Sequence, residues 1–446
     1  MRYKLLTLLC CLMAGLPAWA QPDSIPFNLS LQEAIDYAQT HQSSILNARI
    51  DEQIANNTVK QTIGIGLPQV SGNANILDFI KLPTSLLPGE IFGQPGTQIP
   101  VKFGVKYQST LGLEVNQLLF DGTFLVGLQA AKTYRELSTK STRRSRIETA
   151  VAVSKAYYSV LVSNEQVALL DANIARLKKS LNDTEALFKN GFVEKIDVDR
   201  LTVLNNNLET ERRNVLRLLD FNVNLLKFQM GMPIETELKL TDSINSLQSL
   251  EQSAVAADTT AYKSRIEYSL LETQKRVNEL DLKRYKSFLL PTLSAFANAS
   301  QNYQSNSFNQ LYDTSFPTTI VGVRLAVPIF SGGQKLYQIR NARLQVRKTE
   351  NDLFNLKNGI NVQISQAETS YQNGISSLDN QKRNMELATE VLRVSRIKYE
   401  QGVGSSLEVT TAETSLKEAQ NNYITALYDL LINKINLDRA SGKIVY

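Results

Sequence analysis

From Val409 onward the apolar positions Val409, Ala412, Leu416, Ala419, Tyr423, Ala426 and Leu430 recur at alternating steps of three and four, the seam of a coiled-coil helix. The same register runs through Val198, Leu201, Leu208, Val215 and Leu219, with Asn205 and Arg212 at seam positions where they are expected to weaken or tune the packing. A longer stripe precedes each of these. It comprises Ile360, Ile364, Ala367, Tyr371, Gly374, Leu378, Met385, Ala388, Leu392 and Tyr399 in the second half, and Ile147, Val151, Tyr158, Leu161, Ala168, Ala172 and Ala175 in the first. No proline occurs between Gly122 and Lys189 or between Gly333 and Glu400. Each stripe therefore reads as one helix of roughly 65 residues, about 100 Å long. A helix that tall must bury its stripe against partner helices along its whole length.

Asn190-Gly191 and Gln401-Gly402 end these helices where glycine takes the left-handed conformation, so each turns back as a hairpin. Ser405-Ser-Leu-Glu408 reads as a capping box opening the return helix, and Ser30-Leu-Gln-Glu33 as another near the start of the chain.

Residues Phe188 to Gly231 and Tyr399 to Gly442 align without a gap at a spacing of 211, with seven of 44 pairs identical. Helical pattern alone is weak evidence for a duplication. A second, non-helical signature repeats beside it at a spacing of 210: Leu111-Gly-Leu-Glu-Val-Asn-Gln-Leu-Leu-Phe120-Asp-Gly122 and Val321-Gly-Val-Arg-Leu-Ala-Val-Pro-Ile-Phe330-Ser-Gly332. Upstream, Leu67-Pro68-Gln-Val70-Ser71 is echoed by Leu290-Pro291-Thr-Leu293-Ser294. The pattern predicts a first repeat over 21–230, with helix 30–64, strands 67–79 and 108–119, and helices 122–189 and 195–230. An irregular connector follows over 231–262. The second repeat covers 263–446, with helix 263–287, strands 291–303 and 318–329, and helices 333–400 and 405–440.

In the strands, Leu111, Leu113 and Val115 alternate with Gly112, Glu114 and Asn116, and Val321, Val323 and Leu325 alternate with Gly322, Arg324 and Ala326. This is the lipid-out, lumen-in pattern of a membrane barrel, and also that of a half-buried soluble sheet. The helices are committed to one another by their seams, which leaves none to cover the sheet. Four strands cannot close a barrel, since the smallest has about eight. Two copies would supply eight strands and three would supply twelve; sequence physics does not choose. The segment 80–107, rich in proline and glycine, and the polar segment around 304–316 read as loops at the outer mouth.

The first 20 residues fit a secretory signal: Arg2 and Lys4, an apolar core from Leu5 to Leu16, and Ala18-Trp19-Ala20. Cys10 and Cys11 both lie in that core, so the mature chain is expected to carry no disulfide or thiol chemistry. Without Arg2 and Lys4 the chain has 46 basic against 43 acidic residues, too mild an excess to imply nucleic acid. After the signal no apolar run is long enough for a membrane-spanning helix. His41 is the sole histidine, so no histidine triad or His/Cys metal cluster forms away from it, and the carboxylates show no acid/base pairing. The chain reads as neither an enzyme nor a holder of a cofactor or metal. Arg143-Arg144-Ser-Arg146 reads as a solvated helix face, with a place near lipid phosphates or between helices as the alternatives.

In the order and spacing of the repeated strand pairs, the Phe120-Asp-Gly122 and Phe330-Ser-Gly332-Gly333 turns, and Tyr399-x-x-Gly402 followed by Leu407-Glu408-Val409, the chain resembles the TolC-like outer membrane efflux proteins. The resemblance implies a mixed α/β membrane protein of the outer membrane that extends into the periplasm. As a homotrimer it would form a 12-stranded β-barrel continued by a periplasmic α-helical coiled-coil tunnel. It would conduct drugs, toxic compounds or other exported molecules passively, as in type I secretion, from an inner-membrane pump and a periplasmic adaptor. By the same resemblance Glu408, Asp197 and Tyr399 are candidate residues of a periplasmic gate, and Gly191, Gly402 and Gly404 mark hairpin tips that dock the adaptor. Glu114 and Arg324 would face the barrel lumen, with outer membrane lipid on the other side. Gly404 stands where the family pattern has an arginine that ties neighbouring helices, and Thr411 where a second acid would form another ring. The alternative from the residues alone is a periplasmic coiled-coil structural protein without a pore.

Overall fold

The computed structural model describes residues 27–93, 95–244 and 261–446; the signal expected over 1–20 and residues 245–260 of the connector lie outside them. In chain order the elements begin with β1 (Phe27–Leu29), α1 (Leu31–His41), α2 (Ser43–Ile65), β2 (Gln69–Asp78), β3 (Thr84–Pro88), β4 (Gln98–Lys102) and β5 (Tyr107–Phe120). The first hairpin is α3 (Gly122–Lys189) and α4 (Lys195–Met230), followed by β6 (Leu238–Leu240) and a short 3-10 turn over Ala261–Ser264. Then come α5 (Ile266–Ser287), β7 (Thr292–Ser305), β8 (Ser315–Ala326), and the second hairpin of α6 (Gln334–Glu400) and α7 (Ser406–Ala440).

Four strands form one antiparallel sheet in the order β2-β5-β7-β8. The register places Val70 opposite Val115, Val115 opposite Ala297, and Ala297 opposite Val321, so these residues share a face with Leu111, Leu113, Val323 and Leu325. The other face carries Asn73, Glu114, Asn116, Asn298, Ser300, Asn302 and Arg324. A soluble sheet hides its apolar face, but here Val70, Leu113, Val321, Val323 and Leu325 are all exposed. Both outer strands, β2 and β8, also keep one unpaired edge along their whole length.

Below the sheet, α3 and α6 run for 68 and 67 residues. Asp121 starts α3: its Oδ1 accepts from the backbone N–H of Thr123 at 2.6 Å and of Phe124 at 3.2 Å. Within the first hairpin Leu170, Ile174 and Leu177 pack against Leu201 and Leu208, and within the second Leu392 packs against Val409, Ala412 and Leu416. The largest core lies partway along the rod, where both hairpins and α1 meet through Ala34, Tyr157, Leu161, Leu226, Met230, Leu427 and Leu431. Tyr157 is fully buried, and its hydroxyl donates to Asp242 at 2.9 Å. Burial foremost, and then this bond, raises the phenol pKa far above its usual range. Asp242 also accepts from the Leu31 N–H at 2.9 Å, so one carboxylate ties the start of α1 to the core.

Several elements differ from the sequence expectation. The helix expected over 30–64 is two helices, because Gln42 takes an extended backbone between them and its amide donates to the Gln229 carbonyl at 3.0 Å. The 80–107 loop contains the β3–β4 hairpin, and the connector contributes β6, which pairs in parallel with β1. The strand expected to reach 329 stops at Ala326, short of Pro328, which lacks a ladder donor. Arg143 and Arg144 are exposed as a solvated face requires, while the Arg143 guanidinium also donates to the Tyr446 hydroxyl at 2.6 Å and half-buried Arg146 lies 4.9 Å from the Tyr446 ring.

Asn205 sits among Leu201 and Leu208 at 8% exposure, and its Oδ1 has no hydrogen-bond partner. Its Nδ2 donates only a long bond, 3.4 Å to Glu209 Oε1, so an apolar group of similar size removes the penalty of the unsatisfied oxygen, about 1–2 kcal/mol, at the loss of that bond. Asn205→Leu is expected to raise the thermal midpoint followed by circular dichroism; an unchanged or lower midpoint contradicts the assignment of Asn205 as a weak point of the first seam.

Candidate gate and docking tips

Both hairpins turn on a glycine with positive φ, +77° at Gly191 and +74° at Gly402. A Cβ at either position meets open space, so a side chain there pays only the left-handed backbone, roughly 1–2 kcal/mol. The turns then diverge. In the first, the Phe192 N–H donates to the Leu187 carbonyl at 2.9 Å. In the second, the N–H groups of Val403 and Gly404 both donate to the Lys398 carbonyl, at 3.0 and 3.1 Å. This wraps the chain so tightly that a Cβ on Gly404 would lie 2.9 Å from the Lys398 Cβ and 3.1 Å from its carbonyl carbon. A side chain at 404, such as the arginine that the resemblance leads one to expect, requires a different turn.

The two acids after the turns are held differently. Glu194 and Asp197 form a reciprocal capping box, with the Glu194 N–H donating to Asp197 Oδ2 at 3.3 Å. Asp197 also accepts a short hydrogen bond from the Ser406 hydroxyl and lies 3.5 Å from the Arg200 guanidinium. In the second turn Ser405 Oγ accepts from the Glu408 N–H at 3.2 Å, but no return bond from the Glu408 side chain forms, so the expected box is half present. Glu408 is exposed and its carboxylate makes no hydrogen bond or ion pair among the described residues.

Tyr399 packs against the cluster of Leu392, Val409, Ala412 and Leu416. Its hydroxyl is buried without a partner in a crevice lined by Thr184, Leu201, Arg396 and Ser406. The tie between the two tips thus runs from Ser406 to Asp197, and Tyr399 fills space beside it.

Further contacts missed by sequence reasoning join the two hairpins above this point. Arg176 on α3 donates from Nε and Nη2 to the Glu413 carboxylate on α7 at 3.0–3.2 Å, with Glu413 only 6% exposed. Asn173 braces Arg176 by accepting from Nη2 at 2.6 Å and donates to Gln420 Oε1 at 2.7 Å. Lys417 pairs with Glu211. Near the tips the hairpins are therefore apolar inside and polar between, whereas at the waist they share one apolar core. The only trace in sequence is charge flanking the seams; pairing across 237 residues leaves no local signal.

On the sheet, Glu114 and Arg324 lie on the polar face, where Glu114 accepts from Asn116 Nδ2 at 2.8 Å and the Arg324 guanidinium stands 5.3 Å from the Phe296 ring. No group of acidic, histidine or cysteine side chains suited to a metal ion occurs among the described residues.

The family model described as outer membrane efflux protein matches residues 89–218 and 281–443, one stretch in each half. The chain is 24% identical over 332 residues to the alkaline protease secretion protein AprF of Pseudomonas aeruginosa, covering 73% of this chain and 67% of that one. It is 21% identical over 351 residues to the outer membrane protein TolC of Salmonella enteritidis, covering 75% and 69%. The fold superposes on the crystal structure of CusC with a TM-score of 0.76 at 17% identity, over 94% of this chain and 93% of that one.

Removing Arg176 leaves the Glu413 carboxylate buried and unpaired, a loss of about 2–3 kcal/mol for a pair with one partly exposed partner. In Arg176→Gln, amide exchange around residues 406–416 is expected to speed up by tenfold or more, while Arg393→Gln, whose partner Glu390 is exposed, leaves it unchanged. Equal exchange in the two variants contradicts a structural tie between the hairpins.

Proposed function

The chain belongs to the outer membrane efflux protein family, and from that membership we propose that three copies assemble into an outer membrane channel-tunnel of a tripartite export system. The observation that carries this reading is the uncovered sheet, apolar on one face, polar on the other, and open at both edges. Twelve strands from three copies close a barrel with Val321 and Leu113 toward lipid and Glu114 and Arg324 toward the lumen. The helical hairpins continue the wall as a tunnel through the periplasm, long enough at about 100 Å to reach an adaptor and inner-membrane pump. Energy comes from those partners, and the chain itself conducts passively.

At the far end, the tips of Gly191, Gly402 and Gly404 present exposed Phe192, Val403 and Leu407, an apolar surface for the adaptor. Three copies of Glu408 ring the entrance with free carboxylates. Because Thr411 is uncharged, that ring is single, and it acts as a cation filter. Asp197 serves the gate by holding Ser406 across the tips. A periplasmic coiled-coil scaffold without a pore would leave the exposed apolar strand residues in water, and nothing favours it.

The test is single-channel conductance of the purified protein in planar bilayers. The wild type is expected to prefer cations, and Glu408→Gln to reduce that preference severalfold with conductance retained; equal selectivity in the two rejects the charge ring, and absence of conductance in both rejects the channel. Replacing Gly191 and Gly402 together by valine is expected to impair export while the protein remains in the outer membrane, and wild-type export in that variant rejects docking at the tips.

A further inference from the structure

A cavity of about 370 Å³ opens at the waist where the two repeats meet. Its walls carry Lys140 and Arg143 from α3, Lys263 and Arg265 from the turn before α5, and Arg439 from the end of α7, against one carboxylate side chain, that of Glu267, with Tyr446 also in the lining. That carboxylate is already engaged. Arg265, itself only 7% exposed, donates to it from Nε at 2.9 Å and Nη2 at 3.0 Å and to the Ala440 carbonyl at 3.3 Å. Lys140 is engaged as well, by Glu136 at 2.9 Å and Thr273 at 2.7 Å.

Three further cations make no ion pair with a carboxylate side chain among the described residues, although Arg439 stands near enough to Glu267 for its charge to help hold that carboxyl below its usual range. Arg143 meets only the neutral Tyr446 hydroxyl, Lys263 is exposed, and Arg439 is half-buried beside Arg265. The field of this cluster extends beyond the cavity: Lys155 has its pKa lowered, first by burial and then by repulsion from Arg439. Like charges held this close raise the energy of the fold unless a counter-charge sits among them.

We propose that this cavity binds a small anion carrying two or three negative charges, of the phosphate or polycarboxylate class, held by Arg143, Lys263 and Arg439. Guanidinium and ammonium donors facing one cavity suit that chemistry, because charge-assisted hydrogen bonds to such oxygens are the stronger kind. Arg143 lies about 30 Å along α3 from the sheet, so bilayer headgroups are out of reach and the ligand is a soluble one. Since the walls come from both halves of the chain, an occupied site ties them together and stabilises the waist by mass action. The inference stands on the single chain and does not require the pore.

The experiment is calorimetric titration of the full-length mature protein in detergent, at low ionic strength, with inorganic phosphate and separately with citrate as probes. Saturable binding of at least one probe is expected, weakened about tenfold in Lys263→Gln and at least that in Arg439→Gln, since one lost charge-assisted bond is worth about 1.4 kcal/mol. Binding of phosphate alone assigns a phosphoryl ligand, and binding of citrate alone a carboxylate ligand. Lys263 is exposed and makes no side-chain hydrogen bond or ion pair among the described residues, so its variant decides the matter even where Arg439→Gln misfolds. Absence of saturable binding of both probes, or unchanged affinity in Lys263→Gln, overturns the proposal.

Discussion

A strand edge cannot lie open in hydrocarbon, because each unpaired backbone N–H and C=O there costs several kcal/mol. The sheet of this chain has two such edges, on β2 and β8, and an apolar face that marks it for lipid. In the proposed assembly both edges are satisfied at once because β2 of one copy pairs with β8 of the next until the ring closes. Each chain then supplies one arc of the wall, and each helical hairpin one segment of the tunnel beneath. The long stripes of α3 and α6 follow from the same demand, since helices that continue a ring must find partners along their whole length.

The hairpins divide this work by chemistry. At the waist, where Tyr157, Leu161, Leu427 and Leu431 share a core, the two hairpins are fused by apolar packing. Toward the tips the packing stays within each hairpin, and the contacts between hairpins become polar, through Arg176 and Glu413 and through Ser406 and Asp197. Polar contacts exchange for water at small net loss, whereas an apolar core does not. In the proposed channel, a wall built this way would separate at its tips while its waist holds. The tight wrap of Gly404 over Lys398 leaves no room for a side chain at 404, and the contact between the tips runs through Ser406 and Asp197.

Much of this architecture was legible before any coordinates. The limits of α3 and α4 follow from Asp121-Gly122, Asn190-Gly191 and Gly231, because caps and left-handed glycines are local chemistry. The alternation of Leu111 to Val115 and of Val321 to Leu325 gave away the two faces of the sheet for the same reason. What sequence hid was non-local. The break at Gln42 depends on a hydrogen bond to Gln229, and the place of Arg143 and Arg146 depends on Tyr446. At the tips, Asp197 and Glu408 occupy equivalent places in the repeat, yet only Asp197 meets a hydroxyl from the other hairpin. A repeat shows where halves correspond and cannot show which copy finds a partner.

The most direct test of the closed ring is a cross-linking scan of β2 against β8. Both cysteines, Cys10 and Cys11, lie in the signal expected over 1–20, so one can be placed on each edge strand of a Cys10→Ser, Cys11→Ser background, in successive registers, and the protein oxidised in its membrane. The ring predicts that the productive register gives covalent species of one, two and three copies and nothing larger. A ladder that ends at two copies, or an absence of cross-linked species in every register, contradicts it.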